Sequence, residues 1–152
     1  MTYCWAHNRA RSRGDTPMSD TDQQQTHTGG CLCGRIRFTA AGAPFYPHVC
    51  SCAHCRKLSG GPMMTWVGFP LKGFSWDGEG GEPTWYAEFP GAGRGFCPTC
   101  GARMCALDDG SEAVFVTLMS LDELTLVPEN QHFRDDAVSW LPQVPHKDPA
   151  AS

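Results

Sequence analysis

Cys97-Pro98-Thr99-Cys100-Gly101 is the stretch on which the fold of this chain turns. Two thiols three residues apart can face one metal ion. The glycine after them lets the backbone turn tightly and aim N–H groups at sulfur. Working outward, a second such turn lies upstream, Cys31-Leu32-Cys33-Gly34. Both turns end in Cys-Gly. Together they supply four thiolates, the complement of a tetrahedral structural zinc. Cys31, Cys33, Cys97 and Cys100 are therefore read as one site that ties residue 33 to residue 97. Structural zinc of this kind supplies roughly 10–16 kcal/mol of apparent binding energy. A domain's net stability is about 5–15 kcal/mol, so the fold should depend on the metal. The competing reading of Cys97 and Cys100 is a redox pair, but no βαβ pattern surrounds them.

Between the two turns lies Cys50-Ser51-Cys52-Ala53-His54-Cys55. Cys50, Cys52 and Cys55 give three thiolates within six residues. Three protein ligands and an open fourth position mark a catalytic zinc. The alternative is a closed site in which His48 or His54 is the fourth ligand. His54 sits between two of the ligands and would have to double back on a short turn, whereas His48 has more freedom. Arg56 and Lys57 follow at once. They could offset the charge of a three-thiolate zinc or attract an anionic substrate, or they could simply be solvated.

Outside the cysteines the pattern is that of strands. Residues 35–40 alternate polar and apolar, the period of a half-buried strand. Residues 63–69 are apolar and β-branched, and 85–89 form a short run between Pro83 and Pro90. Residues 103–107 and 113–119 are joined by the turn Asp108-Asp109-Gly110. Ser120-Leu121-Asp122-Glu123 fits a capping box, which predicts a short helical turn starting at Ser120. Trp66, Trp85 and Tyr86 fall in strands, where aromatics are core residues more often than pocket walls. Cys105 reads as a buried core thiol. His132 and Trp140 lie in a late segment to which no role is assigned. These features predict one mostly β, mainly antiparallel domain over residues 27–146, with a C-terminal tail over 147–152.

The 152 residues are enough for about one domain. Hydrophobic residues make up 41% and charged residues 18% of the chain, a globular balance rich in glycine and proline. The stretch from Met18 to Thr28 is polar and of low complexity, and residues 1–26 read as a disordered arm. Met18 is an alternative start, in which case Cys4 and His7 carry no function. No apolar run reaches the roughly 18 residues of a membrane span. The N-terminus lacks the apolar core of a secretory signal. A reducing cytoplasm is thus the expected compartment, and there clustered cysteines bind metal or do chemistry. From residue 18 onward nine Lys and Arg face fifteen Asp and Glu. That acidic balance argues against a nucleic-acid partner.

The motifs resemble those of the glutathione-dependent formaldehyde-activating family, which also covers centromere protein V. The matching residues are Gly30-Cys31-Leu32-Cys33-Gly34, then Cys50 to Lys57 with Gly60, then Arg94-Gly95-Phe96-Cys97-Pro98-Thr99-Cys100-Gly101. The resemblance implies a β-tent of small antiparallel sheets with two zinc ions per chain. It implies a structural zinc on Cys31, Cys33, Cys97 and Cys100, and a functional zinc on Cys50, Cys52 and Cys55. It also implies carbon–sulfur lyase chemistry on a thiol–aldehyde adduct such as S-hydroxymethylglutathione, with glutathione and an aldehyde as partners. His54, beside the triplet, is a candidate proton shuttle, though a surface histidine is the competing reading. The alternative function is a zinc-stabilised binding or carrier module without turnover. A methionine sulfoxide reductase is disfavoured, because that fold pairs two C-x-x-C turns and here the first is C-x-C.

Overall fold

The computed structural model describes residues 25–89 and 91–145. Cys4, His7 and Met18 lie outside them. Two sheets form the described part. The smaller has three strands: β1 (Thr26–Gly30), β2 (Arg37–Ala41) and β5 (Phe74–Trp76), in the order β1-β2-β5. The larger contains β3 (Phe45–Cys50), β4 (Met64–Pro70), β6 (Thr84–Phe89), β7 (Ala92–Phe96), β8 (Arg103–Asp108), β9 (Ala113–Thr117) and β10 (Asn130–His132). Its order is β10-β3-β4-β9-β8-β7-β6. All pairs are antiparallel except β10 with β3, which is parallel. One short helix, α1 (Ala53–Ser59), follows β3. No helix among the described residues is long and apolar enough to cross a membrane.

The alternation read in the sequence sets which face of each strand is buried. On β2, Phe38 and Ala40 point into a core shared with Val67 and Phe69 of β4 and with Val114 and Val116 of β9. Phe38 is 1% exposed. Its ring stacks on Phe74 at 5.4 Å and meets Trp76 edge-on at 5.9 Å. Gly29 of β1 faces it, and a Cβ there would come within 2.4 Å of the Phe38 ring. The opposite face of β4 carries Met64 and Trp66, which pack with Cys50, Cys52 and Cys55 in a second apolar cluster. The large sheet therefore has a core on one face and the cysteine triplet on the other.

A bulge on β8 shifts the register between Gly95 opposite Cys105 and Phe96 opposite Arg103. It lets the consecutive residues Met104 and Cys105 both enter the first core. Cys105 is a buried thiol, and burial pushes it up to about 12. Trp66 is core, whereas Trp85 lines a cavity of about 460 Å3 with Leu107 and Asp108. Tyr86 is 36% exposed.

The helical turn predicted from Ser120 is a correction. The 3-10 turn spans Leu118–Ser120 and ends where a start was expected. The Ser120 hydroxyl donates back to the Thr117 carbonyl at 2.7 Å instead of capping a helix ahead. Leu121 is held in a bridge with Gly29, so the backbone stays extended there. The helix that does form, α1, carries none of the usual N-cap residues. Its N-cap is Cys52, whose sulfur accepts the Cys55 N–H at 3.4 Å. Gly60, at φ 68°, closes it.

Candidate metal centres

Two groups of thiols come together among the described residues. The sulfurs of Cys31, Cys33, Cys97 and Cys100 all lie within 4.8 Å of one another, as do those of Cys50, Cys52 and Cys55. All eight described cysteines are free thiols.

The first group is built from two matched turns. Cys31 N–H donates to the Ile36 carbonyl, and Cys97 N–H donates to the Ala102 carbonyl, each at 2.9 Å and each five residues on. Gly34 and Gly101 return their N–H to the carbonyls of Cys31 and Cys97 at 3.0 and 2.8 Å. Both glycines have left-handed φ values, 77° and 74°, that a side chain would strain. With Zn–S bonds of about 2.3 Å, a tetrahedron has S···S edges of about 3.8 Å. The observed Cys31–Cys33 and Cys33–Cys97 separations are 3.5 and 3.8 Å. Cys31 and Cys97 are buried in the main core, while Cys33 is exposed.

Backbone donors already favour thiolate at this group. Ile36 N–H points at Cys31 sulfur at 3.3 Å. The N–H groups of Ala102 and Cys33 pull the Cys100 thiol down to about 6. Cys33 goes the other way, to about 11. The Arg35 N–H favours its thiolate, but desolvation and the sulfurs of Cys31, Cys100 and Cys97 outweigh that. Four thiolates this close repel one another unless a cation sits among them. The donor set and its edges fit a tetrahedral zinc.

The second group sits where β3 passes into α1. Cys50 ends β3, Cys52 caps α1, and Cys55 lies in its first turn. All three are 4% exposed or less. Neither His48 nor His54 joins the three sulfurs, and no other described histidine or carboxylate does. His48 is held elsewhere. Its Nδ1 donates to the Tyr46 carbonyl at 2.9 Å, and its ring stacks on His132 at 4.6 Å. Burial, with His132 adding to it and the Tyr46 carbonyl opposing, pushes His48 down to about 4. His54 is half-buried on α1. Of the two cations after the triplet, Lys57 is exposed and Arg56 donates Nε–H to the Ser51 carbonyl at 3.0 Å.

Residues 26–141 match the sequence pattern of the family described as glutathione-dependent formaldehyde-activating enzyme. The chain belongs to that family. No curated protein matches it. Among solved structures it is similar to a Rhodobacter sphaeroides protein determined as a structural genomics target. That likeness has a TM-score of 0.54 at 18% identity, covering 68% of this chain and 98% of the other. At that identity it shows a shared fold.

Several residues around the triplet of this family member went unread in the sequence. Gln131 is buried, and its Nε2 donates to the hydroxyl of Ser51, the residue between Cys50 and Cys52, at 2.9 Å. Its Oε1 accepts the Val144 N–H at 2.8 Å. Ser51 N–H donates to the His132 carbonyl at 3.1 Å. His132 Nε2 shares a 2.5 Å hydrogen bond with the Tyr46 hydroxyl. Burial lowers the His132 pKa, and the charge of Cys52 works against that lowering. The parallel register places His132 opposite Cys50 and Gln131 opposite Val49. Nothing local in the sequence signals this pairing, because the partners are some 80 residues apart. Trp140, also left without a role, is 72% exposed.

Proposed function

We propose that each cysteine group holds one zinc ion and that the second group serves carbon–sulfur lyase-type chemistry between glutathione, or a similar thiol, and an aldehyde. The observation that carries this reading is the triplet itself: three buried sulfurs within 4.8 Å, with no fourth described protein donor among them. A fully ligated structural site would have its fourth ligand, as the Cys31, Cys33, Cys97 and Cys100 group does. Zinc bound there would hold a thiol as thiolate and polarise a carbonyl.

The chain's own residues have separable parts in this proposal. Cys50, Cys52 and Cys55 would hold the metal. The Cys55 N–H keeps the Cys52 sulfur in place. Met64, Trp66 and Phe133 pack around the three sulfurs. Forming the adduct makes a C–S bond and breaks the carbonyl π bond, and the thiol proton ends on the former carbonyl oxygen. The hydrogen-bonded Tyr46 and His132 side chains are the proton-handling pair nearest in register to Cys50. His54 on α1 is the second candidate. A reducing cytoplasm, where seven thiols remain available to metal, belongs to the same proposal.

Exchange NMR tests it. With zinc-loaded protein, free and glutathione-bound formaldehyde should interconvert faster than in buffer, and Cys52→Ser should abolish the acceleration. Protein carrying two metals per chain that accelerates exchange with no small thiol would be a zinc-stabilised binding module instead.

A further inference from the structure

We propose that the cavity between the two cysteine groups receives the carboxylate end of the thiol, with Arg103 as the side chain that binds it. This rests on the thiol–aldehyde reading above and adds a specificity site to it. The cavity has a volume of about 660 Å3, within the range of about 300–1,000 Å3 typical of small-molecule sites.

Its position follows from the topology. It lies at the end of the large sheet where β4 and β8 begin and β9 ends, lined by Met64, Arg103 and Thr117. The Cys31 and Gly101 turns of the first group form one wall. Leu58 and Ser59, at the C-terminal end of α1, form another. The opposite end of α1 carries Cys52 and Cys55. At about 1.5 Å of rise per residue, Leu58 and Ser59 lie about 5–6 Å along α1 from Cys55 and about 9–10 Å from Cys52, so the cavity lies about 5–10 Å from the triplet. That is the span of a small peptide thiol. Met64 belongs to both places, since it lines the cavity and packs against the three cysteines.

The charges lining the cavity point to an anionic group. They are Arg37, Arg103 and Asp122. Arg37 and Asp122 satisfy each other through a double contact, Nη1 to Oδ1 at 3.0 Å and Nη2 to Oδ2. Thr28 also donates to that carboxylate, at 2.6 Å. Arg103 has no carboxylate partner among the described residues. Its Nε donates to the Leu58 carbonyl at 3.1 Å, and its guanidinium lies over the Phe96 ring at 5.2 Å. These contacts fix the plane of the guanidinium. Its Nη groups make no hydrogen bond among the described residues. A fixed planar fork at the edge of a cavity lined by Leu58, Met64 and Met119 is the donor geometry that a carboxylate accepts bidentately. The site should therefore favour carboxylate-bearing thiols over neutral or cationic ones.

Titration calorimetry on the zinc-loaded protein tests this with glutathione, with glutathione amidated at each carboxylate in turn, and with cysteamine. Arg103→Gln should weaken glutathione about 10- to 100-fold, the worth of a lost charge-assisted pair. Cysteamine should bind wild type and variant alike. One of the two amidated peptides should already bind wild type weakly and lose nothing further in the variant. Arg103→Lys should recover part of the affinity for glutathione, with metal content unchanged in both variants. Unchanged glutathione affinity in Arg103→Gln would overturn the proposal. So would equal weakening of every ligand, which would mean that Arg103 only braces α1. If cysteamine fails to bind wild type carrying two metals, the thiol reading falls and this inference falls with it.

Discussion

Cys97→Ser should prevent the chain from folding. The Cys97 sulfur is fully buried in the main core and lies 3.8 Å from that of Cys33, a residue 64 positions away. Treated as a cross-link, closure of a loop of that length is worth about 4 kcal/mol of unfolded-state entropy. A structural zinc held there would contribute roughly 10–16 kcal/mol in apparent binding, against a domain stability of about 5–15 kcal/mol. A hydroxyl in place of the thiolate removes a ligand and adds a buried polar group, so the loss is of the same size as the whole margin. Cys52→Ser should behave differently. Its site lies on the far face of the large sheet, outside the core that joins the two sheets. It should keep the β-rich far-ultraviolet spectrum and a cooperative melt while binding one metal fewer. Circular dichroism melting paired with elemental metal analysis decides the matter. Equal loss of structure in the two variants would refute the division of labour between the groups. So would a Cys97→Ser protein that melts cooperatively with one metal bound.

Three further outcomes are expected. Gly95→Ala should cost about 1–3 kcal/mol by overpacking, because its Cβ would stand 2.5 Å from the Cys105 sulfur. In a Cys105→Ala background the cost in denaturant melts should shrink, leaving only the 3.0 Å approach to Pro83. The Cys105 thiol, pushed up to about 12 by burial, should stay protonated in the folded protein. Iodoacetamide at pH 8 should then leave it unlabelled until the chain is unfolded, as peptide mass mapping would show. Gln131→Ala should free the Ser51 hydroxyl and loosen the loop between Cys50 and Cys52. Chelator competition should show the triplet's metal affinity lowered by about 10- to 100-fold, as for other outer-shell partners, with the first site unaffected.

The cysteine spacings made both thiol groups legible, because each turn is local and its glycine or its compactness is written in adjacent residues. Strands β2, β4, β6, β8 and β9 were legible for the same reason, since alternation and flanking prolines are short-range signals. The elements that complete the second site were not. Helix α1 is two turns long and capped by a cysteine sulfur, so neither its period nor its cap resembles a helix start. Strand β3 holds Pro47 at a register shift and Tyr46 at a left-handed φ of 52°, features that argue against a strand in a linear reading. Gln131 and His132 reach the triplet only through a parallel pairing between distant strands. Ser120 misled because its hydroxyl has a nearer acceptor in Thr117 than any helix ahead would offer.

The Cys50, Cys52 and Cys55 group should keep one metal position open to a thiol. Cobalt substitution tests it most directly, because each thiolate bound to cobalt adds near-ultraviolet charge-transfer absorption. The protein loaded with two cobalt ions per chain should gain such absorption when glutathione is added, saturating at one thiol per chain, and Cys52→Ser should show no gain. A spectrum with two cobalt ions bound that glutathione leaves unchanged would mean the position is closed, and the account of the site would be wrong.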